Sequence, residues 1–166
     1  MMNEIQCSNC EKKANVVRGS YCFIESGLSG VTLQGVELIQ CEHCGNEDPI
    51  IPRINDLMRA LVVALIAKPY RLTGEEVRFL RKYLRKTAAE LAQLLHVNKT
   101  TVSKWENDED PIGEQSERLL RVITVALGDG LIAKIEEVIS MFPQIDSRPQ
   151  KIGIEIDPCE MTHHYV

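Results

Sequence analysis

No apolar run in the 166-residue sequence is long enough to span a bilayer. The longest, Ala60 to Ala67, falls far short of the roughly 20 residues that a membrane helix needs. Near the start, Glu4, Asn9 and Glu11 break up any apolar stretch, so no secretory core is expected and the chain reads as cytoplasmic, without a membrane role. Also missing are a phosphate-cradling glycine loop, a Ser/His/Asp order and a Cys/His pair. The four histidines, His43, His96, His163 and His164, stand in no recognisable catalytic setting, so an enzyme is not expected. There is neither an internal repeat nor a low-complexity segment.

What remains is an ordinary globular composition, 44% apolar, long enough for one domain or two small ones. The net charge of −5 hides an uneven distribution. Residues 1–50 carry three basic and seven acidic side chains (−4), and residues 51–69 three and one (+2). Residues 70–107 carry eight and four (+4), and residues 108–166 five and twelve (−7). A basic centre between acidic ends suits a nucleic-acid contact, because phosphate attraction is screened beyond about 10 Å at ordinary salt.

The texture divides the chain into four parts. Residues 1–50 contain short β-like runs, Ser20–Ser26 and Val31–Gln40, separated by Gly27–Gly30. From Pro52 the apolar residues Ile54, Leu57, Met58, Leu61, Val62, Leu65 and Ile66 recur at helical spacing. They form an expected connector helix within 51–69 that Lys68-Pro69 ends. Residues 70–127 read as four helices. Thr73 with Glu76, and Thr87 with Glu90, fit capping boxes, and Asn98 is placed to cap the third helix. A helix is expected at Gln115–Leu127 after Asp110-Pro111. The acidic extension 128–166 reads as a helix at Leu131–Met141, then a loop-like tail with one strand in 151–156. An isolated strand of that kind needs a partner. The fold class expected is α+β: a small β-rich module, an all-α domain and a C-terminal extension.

Two Cys-x2-Cys pairs, Cys7/Cys10 and Cys41/Cys44, carry the clearest chemistry. Two residues between thiolates let one tight turn present both sulfurs to a single ion, and two such knuckles complete a tetrahedral S4 shell. The 30-residue insert is hairpin-like and can bring the pairs together, and Gly45 allows the positive φ such a turn uses. Zinc is the expected metal and its role structural, since four protein ligands leave no open position. Iron in the same geometry is the rival, which would make the chain an electron carrier; disulfides or free thiols are the remaining alternatives. Cys22 reads as a buried small hydrophobe, and His43 as solvent-facing. Asp157, Cys159, His163 and His164 form only a loose terminal set.

The segment from Thr87 to Asn107 reads as a helix-turn-helix. The first helix turns Leu91, Ala92 and Leu95 inward, and His96 sits where a left-handed residue is expected. On the second helix Val102 and Trp105 face inward. Lys99, Thr100, Ser103 and Lys104 then face outward, with Thr101 at the margin. A small, polar, cationic face suits the major groove, where lysine reaches guanine O6 and N7 and threonine meets base edges. Lys86 and the helix start at Thr87 are candidate phosphate contacts.

Glu90-Leu-Ala-Gln93 and Thr101-Val-Ser-Lys-Trp-Glu106 resemble the phage-repressor (XRE, Cro-like) class. Together with Cys7/Cys10, Gly35-Val36 and Cys41-x2-Cys44-Gly45 upstream, the layout resembles the YgiT/MqsA family of zinc-finger antitoxins and regulators over about residues 5–127. The resemblance implies zinc on Cys7, Cys10, Cys41 and Cys44, and base reading by Thr100 and Lys104. It further implies a homodimer on a palindromic operator, repression of the protein's own operon and, in some members, a toxin held by the zinc module. The chain departs from the pattern in having Glu11 where glycine follows the first knuckle, and in its long acidic tail. The function expected is a dimeric DNA-binding repressor, with an antitoxin role or a stand-alone regulator as its two forms.

Overall fold

The computed structural model describes residues 5–166, so the first four residues of the expected 1–50 module lie outside the described residues. The fold is mixed α+β. Strands β1 (Asn15–Cys22), β2 (Val31–Gln40) and β3 (Glu47–Ile50) come first, and helix α1 (Ile54–Ile66) follows. A short strand β4 (Tyr70–Arg71) leads into α2 (Gly74–Tyr83), α3 (Ala88–Leu94), α4 (Lys99–Glu106) and α5 (Glu114–Leu127). The chain ends with α6 (Ile135–Met141) and strands β5 (Asp146–Pro149), β6 (Ile154–Ile156) and β7 (His163–Tyr165). Among the described residues no helix is long and apolar enough to cross a membrane.

Strand β2 is the centre of a five-stranded sheet in the order β1-β2-β6-β7, with β3 also paired to β2. The β1, β3 and β7 pairings are antiparallel, while β2 and β6 run parallel, Val31 opposite Ile154 and Leu33 opposite Ile156. Parallel neighbours need a crossover between them, and here that crossover contains all six α-helices of the described residues. The expected tail strand is therefore found, paired in the sheet as β6, while the stretches around it, expected to be loop-like, carry β5 and β7 as well. The edge of β2 left free by β1 and β3 supplies the partner that an isolated 154–156 strand lacks. On the β7 side, Gly153 sits close to the last residue, since a Cβ there would stand 2.7 Å from the Val166 side chain.

Other boundaries shift for local reasons. The first strand starts five residues earlier than the β-like run and stops at Cys22, because Ser26 closes a 3-10 turn with its hydroxyl donating to Phe23 O at 2.7 Å. Ile132–Lys134 forms a 3-10 turn, so the helix expected from Leu131 begins properly at Ile135. Cys22 is exposed, contrary to expectation; its strand lies at the sheet edge and exposes residues on both faces.

The expected connector helix is a core element. In α1, Leu57, Leu61, Val62, Ala64, Leu65 and Ile66 are no more than 1% exposed. They join Phe23, Leu33 and Leu38 of the sheet side and Leu80, Leu91 and Val102 of the helical side in one apolar cluster. A helix apolar around most of its circumference is buried on most of it. Its C-terminal carbonyls are met by Arg121, wholly buried, which donates to Ile66 O at 2.9 Å, Lys68 O at 2.8 Å and Tyr70 O at 2.9 Å, and to Glu117 at 2.7 Å. Beside it, buried Lys68 donates to both Glu76 oxygens at 2.8 and 2.7 Å, and to Gln150 O at 2.5 Å. Burial raises the Glu76 carboxyl above its ordinary range, against the pull of Lys68. Polar groups this deep are tolerated because each is hydrogen-bonded.

Candidate metal centre and candidate nucleic-acid interface

The two cysteine pairs sit on matching backbone turns. The Glu11 N–H donates to Cys7 O at 3.0 Å and the Gly45 N–H to Cys41 O at 2.9 Å. One step further out, the Cys7 N–H donates to Lys12 O at 2.8 Å and the Cys41 N–H to Asn46 O at 2.9 Å. The closing residue is left-handed in both, with φ of 59° at Glu11 and 72° at Gly45. Only glycine adopts that region without steric cost, so the first knuckle keeps the geometry and bears some strain for its glutamate. Strand β2 delivers Cys41 from one side, and a bridge between Gln6 and Lys13 frames the first pair.

The four sulfurs converge. Cys7 Sγ and Cys44 Sγ lie 3.5 Å apart, as do Cys10 Sγ and Cys41 Sγ, and all four fall within 4.8 Å of one another. A tetrahedral ion with about 2.3 Å bonds places its sulfurs about 3.8 Å apart, so the residues fit such an ion. All six cysteines are free. Against the Lys12 backbone N–H, which pulls it down, desolvation and the other three cysteines push Cys10 up to about 12. The Asn46 backbone N–H, against desolvation and with the three thiols adding to it, brings Cys44 down to about 6. Amide donors aimed at sulfur are what a metal-binding knuckle supplies to its thiolates, and Asn9 N–H to Cys7 Sγ, at 3.4 Å, is another. Exposed His43 meets Lys12 Nζ at 2.7 Å. Among the described residues these cysteines are the one group of His, Cys, Asp or Glu able to share an ion; Cys159, His163 and His164 do not form another.

At the other end, α3 and α4 are joined through His96, whose φ is 55°. The His96 N–H donates to Gln93 O at 3.2 Å and the Val97 N–H to Ala92 O at 2.9 Å, the paired bonds of a Schellman closure. Two more closures of the same form end α2 at Arg85 and α4 at Asp108, both with positive φ. The Thr87 capping box is complete: Glu90 accepts from the Thr87 N–H at 2.7 Å and hydroxyl at 2.8 Å, and Thr87 Oγ1 accepts from Glu90 N–H at 3.2 Å. At Thr73 the Glu76 half closes, with a 2.8 Å bond from the Thr73 N–H. Asn98 stands at the N-cap of α4 without a side-chain bond to it.

Leu91, Ala92, Leu95, Val102 and Trp105 are buried. Lys99, Thr100, Ser103 and Lys104 are exposed on one side of α4 and Thr101 is half-buried. Lys86 is half-buried and Thr87 exposed just ahead of α3. Sequence reasoning missed the groups that hold α4 in place. Arg81 of α2 takes the Glu106 carboxylate in a two-pronged bond, 2.5 and 2.9 Å, and Arg78 donates to Glu106 O at 2.6 Å. The signal was a lone glutamate ending an otherwise uncharged or basic helix, opposite an arginine-rich one. Also unforeseen is the ion pair of Lys104 Nζ with Asp110, at 3.5 Å. No family model, no curated protein and no solved structure matches this chain, so the reading of both sites rests on their own geometry.

Proposed function

We propose that this chain is a sequence-specific DNA-binding repressor, a homodimer on a palindromic operator, with structural zinc on Cys7, Cys10, Cys41 and Cys44. The observation that carries this reading is the two-sided α4: Val102 and Trp105 seal one face, while Lys99, Thr100, Ser103 and Lys104 are exposed on the other. Such a face enters the major groove as a helix-turn-helix reader does. Lys104 and Thr100 would meet base edges, with Thr101 at the margin, and Lys99 and Ser103 would meet bases or phosphates. Lys86 supplies the phosphate contact ahead of α3, since Glu90 already occupies the donors of Thr87. The resemblance to the YgiT/MqsA family supports the same assignment, and an antitoxin role within it rests on that resemblance alone. A small toxic protein co-purifying with the full chain is its expected signature.

Zinc supplies a cross-link between the two knuckles and no reaction chemistry, because four thiolates close its coordination shell. Support for a second copy comes from Leu119, Leu127, Ile132 and Ile139, large apolar residues left 41–62% exposed on α5 and the α6 region. The test is footprinting on the protein's own promoter, followed by titration of the protected site. Lys104→Ala is expected to weaken operator binding by about 1–3 kcal/mol if Lys104 reads a base. Unchanged affinity removes that role, and the absence of any protected site removes the repressor reading.

A further inference from the structure

We propose that Asp110 competes with DNA for Lys104 and thereby lowers the sequence-independent part of DNA binding. This deepens the DNA-binding reading above and rests on it. Lys104 Nζ lies 3.5 Å from Asp110 Oδ2, with the two side chains 54% and 61% exposed. The acid is not a free passer-by on the surface. The left-handed Asp108 closes α4 with its N–H on Trp105 O at 3.1 Å, and the Glu109 N–H returns to Lys104 O at 2.9 Å. Asp108 also accepts the Gly74 N–H at 2.7 Å, which ties the turn to the start of α2. Pro111 follows, with its φ fixed. The backbone thus holds a carboxylate beside the reading face, within reach of the one lysine in the last turn of α4.

The chemistry follows from what a duplex offers. Any DNA presents phosphates, and a lysine that meets one releases counterions whatever the sequence. A lysine already paired to a carboxylate must give up that partner first. The unpaired carboxylate then faces the phosphates and repels them. A cognate base pair that accepts Lys104 at its edge offsets this loss, whereas a bare phosphate offsets less of it. Fixed repulsive elements of this kind are how interfaces reject wrong partners.

The experiment uses the full, metal-loaded chain and a fluorescently labelled random-sequence duplex, with anisotropy titrations over a range of NaCl concentrations. Four proteins are compared: wild type, Asp110→Asn, Lys104→Ala and the double variant. Both positions are exposed, and circular dichroism checks that each variant keeps its fold. Asp110→Asn is expected to tighten non-cognate binding about 1.4- to fivefold, the range that exposed ion pairs cover. Its log–log salt slope should steepen by up to about 0.9, one phosphate contact. In the Lys104→Ala background the same substitution relieves only the carboxylate's repulsion of the phosphates, so the gain should be smaller by the share of the ion pair. Wild-type binding that Asp110→Asn leaves unchanged, or an equal gain with and without Lys104, overturns this inference alone. No salt-dependent binding by any of the four proteins overturns the DNA-binding reading and this inference with it.

Discussion

Around Cys7 and Cys41 the buried apolar surface amounts to Ala14, with Cys10 and Ile39 packed against it, whereas α1 alone brings Leu57, Leu61, Leu65 and Ile66 into the main core. The cysteine end has too few apolar contacts to hold two left-handed turns together by packing. It has four converging sulfurs instead, and a metal on them would supply as folding energy what packing does not. The helical half needs no such clamp. Its helices are closed by Schellman turns, by the Thr87 box and by the Arg81–Glu106 pair, over a continuous core. The two ends of one small chain thus differ in what is available to stabilise them: four converging thiols that a metal could join, and buried apolar area.

Metal removal tests that contrast most severely. Stripping the protein with a chelator should collapse amide protection at residues 5–14 and 41–47, while the amides of α1 and α2 stay protected, as hydrogen exchange would show. Equal loss in both regions would mean that the two share one cooperative unit. A smaller but still large effect is expected from Arg121→Ala in the helical half. It leaves buried Glu117 with the Leu72 N–H and the more distant Arg71 alone and removes the donor to the Ile66 and Lys68 carbonyls, at a cost of about 3 kcal/mol in denaturant unfolding. A change under about 1 kcal/mol would show that water replaces the guanidinium there.

The smallest expected effect is a titration. The Thr87 N–H and hydroxyl hold the Glu90 carboxyl below the ordinary glutamate range. A depressed folded value means a contribution to stability that is present above the unfolded-state pKa and is lost as pH falls through the folded one. NMR should find the Glu90 midpoint below that of a free glutamate, and Thr87→Ala should move it upward, with α3 fraying first in acid. A midpoint at the ordinary value would leave the capping box with no electrostatic share.

Local pattern was legible wherever neighbours in sequence decide the outcome. The four helices from Gly74 to Leu127, the left-handed His96, the Thr87 box and the inward Val102 and Trp105 all follow from spacing and side-chain type. So does the presentation of both sulfurs of each Cys-x2-Cys turn on one side, while the meeting of the two turns rests on the β1–β2 hairpin between them. What could not be read is what distant segments do to each other. Cys22 looks like any strand residue until its strand is known to be the edge. The tail 154–156 has the alternation of a strand, yet nothing in it names β2 as its partner.

The sequence by itself determined which segments become helices, where they are capped, and that four thiols would come together in pairs, because each depends on residues within one or two turns of one another. Only the tertiary structure decided that the tail returns to pair in parallel with β2, that α1 lies at the centre and that Arg121 closes its end. Those contacts join residues far apart in the chain, and their free energy depends on burial and on which edge is left open, quantities that exist only once the chain has closed around its core.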